Sequence, residues 1–367
     1  MQNNDSLKLI RDNFVDELRR ATAGQKTSLP FIKSPLPQKT GVAGGEIFQV
    51  MVLGGSIFKS ALVKKNNRQT HVISVKSENI SPIKNQSMLF ALFAEHLDPK
   101  VSTLAINFAF GLKPTLRNGL LDGQWQPTMD SKEFFFENLA GKLIGEELEK
   151  YLLETKRYRI RVTIANDTIC LLLSTLDKLA LPRSYKSYYV AGVIGSGINF
   201  AFFLDENTAV NLESGNFNRF EQSPAGKAID RNSNAPGKHL FEKEVTGAYL
   251  YRHYNLQIKD DKHCLSSTKE LSAVAKNADN LHFRLAQQLL KHSASLVACQ
   301  VAGIYLYLNK PPQLNFIIEG SLFWDGYRYR EYINNYLTLL EVPKTAVGFL
   351  KIKNSDIFGT ANLLIIF

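Results

Sequence analysis

Two glycine-tipped strand–turn–strand signatures, about 140 residues apart, constrain this chain more than any other feature. The first is Met51-Val52-Leu53-Gly54-Gly55-Ser56-Ile57-Phe58-Lys59. The second is Val193-Ile194-Gly195-Ser196-Gly197-Ile198-Asn199-Phe200. In each, an apolar run reaches a turn of glycine and serine and returns as a second apolar run. Such a turn leaves its backbone N–H groups unshielded, and phosphate is the usual guest. A dinucleotide fold would run from its glycine turn straight into a helix, whereas here strand follows strand. Both hairpins lead into mixed α/β sequence, so the pattern predicts a duplicated α/β unit in two lobes.

A chain of 367 residues, 44% hydrophobic and 21% charged, has the length and balance for two domains with a sizeable core. Cys170, Cys264 and Cys299 are odd in number and far apart, which indicates neither a disulfide framework nor a zinc site. No apolar run approaches the roughly 20 residues that span a bilayer. The stretch Met1-Gln2-Asn3-Asn4-Asp5-Ser6 lacks the charged-then-apolar order of a leader. A cytoplasmic protein without a membrane partner is therefore expected. The net charge of +10 is dispersed, and no zinc-finger or RNA-recognition signature accompanies it. That argues for steering of small anions rather than for a nucleic-acid partner.

Apolar periodicity predicts helices over 7–21, 86–96, 133–154, 239–255, 279–303 and 327–341. Strands are predicted at 103–110, 158–164 and 314–318, with closing strands at 347–352 and 361–367. The strand at 158–164 matters most, because it runs into Ala165-Asn166-Asp167-Thr168. A carboxylate at the end of a buried strand stands where open α/β sheets place their ligands. One placed aspartate and two phosphate-facing turns point to phosphoryl transfer.

In order along nearly the whole chain, these segments resemble the hexokinases. Leu53-Gly54-Gly55-Ser56-Ile57-Phe58-Lys59 is similar to that family's first phosphate motif, and Gly195-Ser196-Gly197-Ile198-Asn199 to its second. Ile106-Asn107-Phe108-Ala109-Phe110 resembles its sugar-loop strand, and Asn166-Asp167-Thr168 matches its catalytic triplet. Asn234-Ala235-Pro236-Gly237-Lys238-His239-Leu240-Phe241-Glu242-Lys243 is similar to its Asn-Pro-Gly-x-x-Leu-aromatic-Glu-Lys run. Glu319-Gly320-Ser321-Leu322-Phe323 resembles its adenosine-side loop. The resemblance implies a ribonuclease H-like, actin-like ATPase fold of two lobes around a central cleft. Residues 46–165 would form the small domain, and 1–45 with 166–367 the large one.

The implied activity is ATP- and magnesium-dependent phosphorylation of a hexose, glucose at its 6-hydroxyl foremost, with the oligomeric state left open. Asp167 would be the general base. Asn166, Asn199, Glu213 and Glu242 would hold the sugar. Gly54, Gly55, Ser56, Lys59, Gly195, Ser196 and Gly197 would face the phosphates, and Gly320 and Ser321 the ribose and adenine. The resemblance assigns no side chain of this chain as a direct metal ligand.

The departures are specific. Val52 stands where the family has an aspartate that helps hold magnesium through water, and Ile57 and Lys59 replace its asparagine and arginine. Ala109 and Gly111 replace the serine and proline of the sugar loop. Trp125-Gln126-Pro127 stands where the family has Trp-Thr-Lys. A second reading therefore stays open: a catalytically weak or inactive hexokinase-like sugar sensor or regulator.

Overall fold

A computed structural model describes residues 4–37, 40–55, 57–66, 69–126, 138–178, 188–258 and 261–365. Its strands are β1 (Ile32–Pro35), β2 (Ile47–Leu53), β3 (Ile57–Asn66), β4 (Gln69–Asn79), β5 (Thr103–Phe108), β6 (Leu112–Arg117) and β7 (Leu120–Trp125). They continue with β8 (Arg161–Asn166), β9 (Tyr189–Ile194), β10 (Ile198–Phe203), β11 (Thr208–Asn211), β12 (Leu314–Glu319) and β13 (Val347–Leu350). One sheet has the order β4-β3-β2-β5-β8, another β1-β11-β10-β9-β12-β13, and β6 pairs with β7 alone. With the edge strand β1 set aside, both larger sheets run third, second, first, fourth, fifth in chain order. Each begins with one of the two glycine-tipped hairpins, so the expected duplication is written into the strand order.

The described residues group into two compact units. One comprises Met1–Phe31, Gly192–Phe200 and Leu212–Lys351, the other Ile32–Ala191, Ala201–Asn211 and Ile352–Phe367. In the second unit, β2, β3 and β4 are antiparallel, and β5 and β8 join them in parallel. Parallel neighbours need a crossover, which the helix Gln86–His96 supplies between β4 and β5. Successive side chains on these strands leave opposite faces. Met51, Leu53, Phe58, Leu104, Ile106 and Phe108 pack on one side with Leu89, Phe90, Phe93 and Leu148. Phe48, Val50, Ala61, Val63 and Ala105 pack on the other with Ile357, Ala361 and Leu364. With both faces covered, strands β2 and β5 are buried along almost their whole length rather than at alternate positions.

In the first unit the longest helix, Phe283–Tyr307, runs 25 residues. Its composition and length would let it cross a membrane, contrary to the sequence expectation. Its apolar window is 83% buried inside the protein, which makes it a core helix. The run predicted as one helix over 239–255 is two, Leu240–Val245 and Leu250–Ile258. The helix expected over 133–154 begins at Ile144, and residues 133–137 lie outside the described set.

The closing strand expected at 361–367 is corrected. Ser355–Ala361 is helical and Asn362–Leu364 forms a 3₁₀ turn. A short apolar run does not distinguish strand from helix, and close packing decides it here. A Cβ on Gly359 would lie 1.7 Å from the Cys170 carbonyl oxygen, so only glycine admits this helix so near to Asp167–Lys178. The β6–β7 hairpin was missed although Asn118-Gly119 announces it. Both residues take the positive φ that such turns require, 54° and 83°.

Candidate active site

The predicted residues fall into two sets, one within each unit. In the unit containing Asp167, strand register aligns Leu53, Phe108 and Asn166 across β2, β5 and β8. The next positions along the chain are Gly54, Ala109 and Asp167, so turn and aspartate share one end of the sheet. The β2–β3 turn closes with the Gly54 amide donating to the Ile57 carbonyl at 2.9 Å. Gly55 is exposed at its tip, and Ser56 lies outside the described residues.

Asp167 opens the helix Asp167–Lys178 directly after β8. Its Oδ1 accepts hydrogen bonds from the Thr168 amide at 2.7 Å and the Thr168 hydroxyl at 3.1 Å. Its Oδ2 accepts none among the described residues, which leaves lone pairs available to an incoming hydroxyl. Asn166 is 9% exposed, and its Oδ1 accepts from the Thr168 amide at 3.0 Å and from Asn211 Nδ2 at 3.1 Å. Asn211 was not singled out from the sequence. It ends β11 two residues before Glu213, and nothing local marks it as the partner of a residue 45 positions away. Lys59 lies directly opposite Val52 and forms an ion pair with Asp356 at 2.6 Å.

In the other unit, the β9–β10 turn is a meeting point of bare backbone. The Gly195 amide donates to the Gly197 carbonyl at 3.0 Å, and the Gly195 carbonyl accepts from the Gly247 amide at 2.7 Å. Gly195, Ser196, Gly247 and Ser321 line a cavity of about 1000 Å³ with Lys269 and Tyr327. Gly320 forms its backbone support. At φ +119° it occupies a region that side chains avoid, and a Cβ there would sit 2.2 Å from the Ile194 carbonyl oxygen. Gly320→Ala is expected to destabilise the protein by roughly 3 kcal/mol, read as a lower melting temperature. A variant that melts as the parent does would mean the close approach is not required.

Gly197 is brought to Glu242 instead: a Cβ there would lie 3.0 Å from Glu242 Oε2. The same oxygen accepts from the Ile198 amide at 3.4 Å, and a Cβ on Gly215 would be 3.3 Å from it. Asn199 Oδ1 accepts from the amides of Phe200 at 2.8 Å and Ser214 at 3.3 Å, which ties it to the loop beginning at Glu213. Glu213 itself takes a left-handed conformation, φ 51°. Asn199, the Glu213 loop and Glu242 are thus gathered around two glycines.

The helix Leu240–Val245 that carries Glu242 is anchored by polar groups the sequence did not single out. Lys243 is 2% exposed, and its ammonium donates to Asp230 at 2.6 Å, Ala235 O at 2.7 Å and Ser233 Oγ at 2.9 Å. All three of its protons are therefore used. Glu244 is fully buried and holds His292 Nε2 at 2.9 Å. Burial pushes the Glu244 carboxyl up, but the His292 hydrogen bond, with the charges of His253 and His292, outweighs it and holds the pKa below normal.

His239, just before this helix, is driven down to about 4 by burial and by the charges of Lys243 and Lys238. Its folded pKa lies below its unfolded value of about 6.5. The unfolded chain therefore binds the proton first, and stability falls as pH drops from about 6.5 to about 4, by roughly 3 kcal/mol. His239→Asn tolerates the left-handed backbone and cannot titrate, so its melting temperature should fall less over that range. Parallel curves for parent and variant would contradict this.

The comparisons with known proteins fit this geometry. The family profile described as Hexokinase matches residues 200–254. Hexokinase-1 of Spinacia oleracea is 28% identical over 243 residues, 56% of this chain and 46% of that protein. Hexokinase-1 of Saccharomyces cerevisiae is 25% identical over 288 residues, 67% of this chain and 56% of that one. The matched region thus spans about half the length of these curated relatives. Among solved structures, the hexokinase from Schistosoma mansoni complexed with glucose has a TM-score of 0.77 at 18% identity, covering 99% of this chain and 95% of that one. The ROK hexokinase from Thermus thermophilus has a TM-score of 0.58 at 13% identity, covering 86% and 98%. The mixed α/β architecture is that of the two-lobe, actin-like ATPase fold of hexokinases. With the motifs in the family's order and the fold matched over nearly its whole length, the chain is similar to the hexokinases in both sequence and fold.

Proposed function

We propose that this protein is an ATP-dependent hexose kinase, with glucose phosphorylated at its 6-hydroxyl and Asp167 as the general base. The observation that carries the reading is Asp167 itself, fixed at the start of its helix through Oδ1 while Oδ2 has no donor among the described residues. A sugar hydroxyl is too weak an acid to ionise beforehand at neutral pH. Its proton passes to Asp167 as the oxygen bonds to the γ-phosphorus and the bond to the leaving ADP breaks. Glu213 and Glu242 hold adjacent sugar hydroxyls, since a carboxylate offers two acceptor oxygens to such a pair, and Asn199 orients the loop between them.

The chain's own residues fit magnesium-ATP. The backbone-lined cavity at Gly195, Ser196 and Ser321 would hold the nucleoside side, where a Cβ on Gly320 would close the approach. The Gly54 turn and Lys59 would face the terminal phosphates. Magnesium, when bound, would neutralise charge on the phosphate oxygens. The relevant test is ADP release with and without hexose. ADP should form only when sugar is present, and equal release in its absence would overturn the kinase reading. Val52 and Ala109, apolar where the family carries a carboxylate and a hydroxyl, favour the second reading, a sugar sensor with little turnover.

A further inference from the structure

Strand register places Lys59, Val52, Asn107 and Ala165 in one row across β3, β2, β5 and β8, two positions before Gly54 and Asp167. Asn107 leaves the same face as Ala105 two residues earlier, the face where Val50, Val52 and Ala61 also pack. The helix Ser355–Ala361 covers that face through Ile357 and Ala361. Asp356 on this helix reaches Lys59 at 2.6 Å. The second observation is independent: Asn107 is 3% exposed, and its Oδ1 has no hydrogen-bond partner among the described residues. A buried amide oxygen without a donor is costly unless a bound water or ligand supplies one.

Resting on the kinase reading, we infer that Asp356 and Asn107 form a relocated subsite for magnesium-bound water, replacing the carboxylate that Val52 lacks. Both groups are acceptors, and the waters that magnesium retains are donors. The Lys59–Asp356 pair is a weak candidate for a purely stabilising role. Its side chains are 35% and 25% exposed, and partly exposed ion pairs contribute little. The helix that carries Asp356 also packs on the helix that Asp167 opens, with Gly359 against Cys170. Burial pushes the Cys170 thiol up, and the carboxylates of Asp167 and Asp356 push it the same way. Cys170 is one helical turn beyond Asp167. With Asp356 engaged elsewhere, Lys59 would be free to turn toward phosphate.

Calorimetric titration with a non-hydrolysable ATP analogue, with and without magnesium, tests this on the full chain. Asp356→Asn keeps the shape of the side chain and should lower the magnesium-dependent gain in nucleotide affinity by about tenfold, as loss of an outer-sphere partner does. Affinity without metal should not fall, since Lys59 is then released from its carboxylate. Asn107→Leu should act in the same direction, and Val52→Asp added to Asp356→Asn should restore the gain. An unchanged magnesium dependence in Asp356→Asn, or no restoration by Val52→Asp, would overturn the subsite and leave the kinase reading standing. Failure of the parent protein to bind nucleotide under either condition would overturn both.

Discussion

Asp167→Ala is expected to lower sugar phosphorylation by roughly a thousandfold, within the range that a positioned general base contributes. The loss should appear in kcat, because the carboxylate acts on the proton that moves as the new bond forms. Hexose and nucleotide should still raise the melting temperature of the variant, since neither is held by Asp167 alone. The stability cost should be small, about 1 kcal/mol, from the acceptor withdrawn at the helix start. Asp167→Asn provides the sharper comparison, because it preserves volume and the bond from the Thr168 amide but cannot take a proton. Retention of activity within tenfold of the parent in either variant would remove Asp167 from the base role.

Glu242→Gln should raise the KM for hexose by about a hundredfold, the effect of weakening two charge-assisted hydrogen bonds. The site leaves no room for rearrangement. Glycines 197 and 215 border the carboxylate, and Oε2 already accepts from the Ile198 amide. An amide turned to satisfy Ile198 presents its NH₂ to the sugar, and the reverse orientation sets donor against donor. Nucleotide affinity should be unaffected, which separates a sugar-site defect from a folding defect. An unchanged hexose KM would show that Glu242 is only a helix residue packed on two glycines.

Much of this was legible because it is local. The turns at Gly54 and Gly195 and the aspartate after β8 depend on residues within a few positions of each other. Pairings across the chain were not legible. Lys59 meets Asp356 297 residues away, and Asn166 meets Asn211 only because β8 and β11 end near one another. The final helix escaped because an apolar run ending in Leu363-Leu364-Ile365 carries no period of its own, and its fit against Cys170 rests on Gly359. The Asn118-Gly119 turn is local as well, a two-residue hairpin signal between β6 and β7. Nothing local in the sequence sets Glu244 and His292 apart from surface charge, because helix packing is what buries the glutamate.

The most direct measurement is identification of the product by phosphorus NMR, with magnesium-ATP and glucose, mannose, fructose or glucosamine supplied in turn. A hexose kinase yields a sugar 6-phosphate and ADP in equal amounts, glucose foremost, and the signal is absent with Asp167→Ala. No sugar phosphate from any of the four, while glucose still raises the melting temperature, would contradict catalysis and leave a sugar-binding regulator.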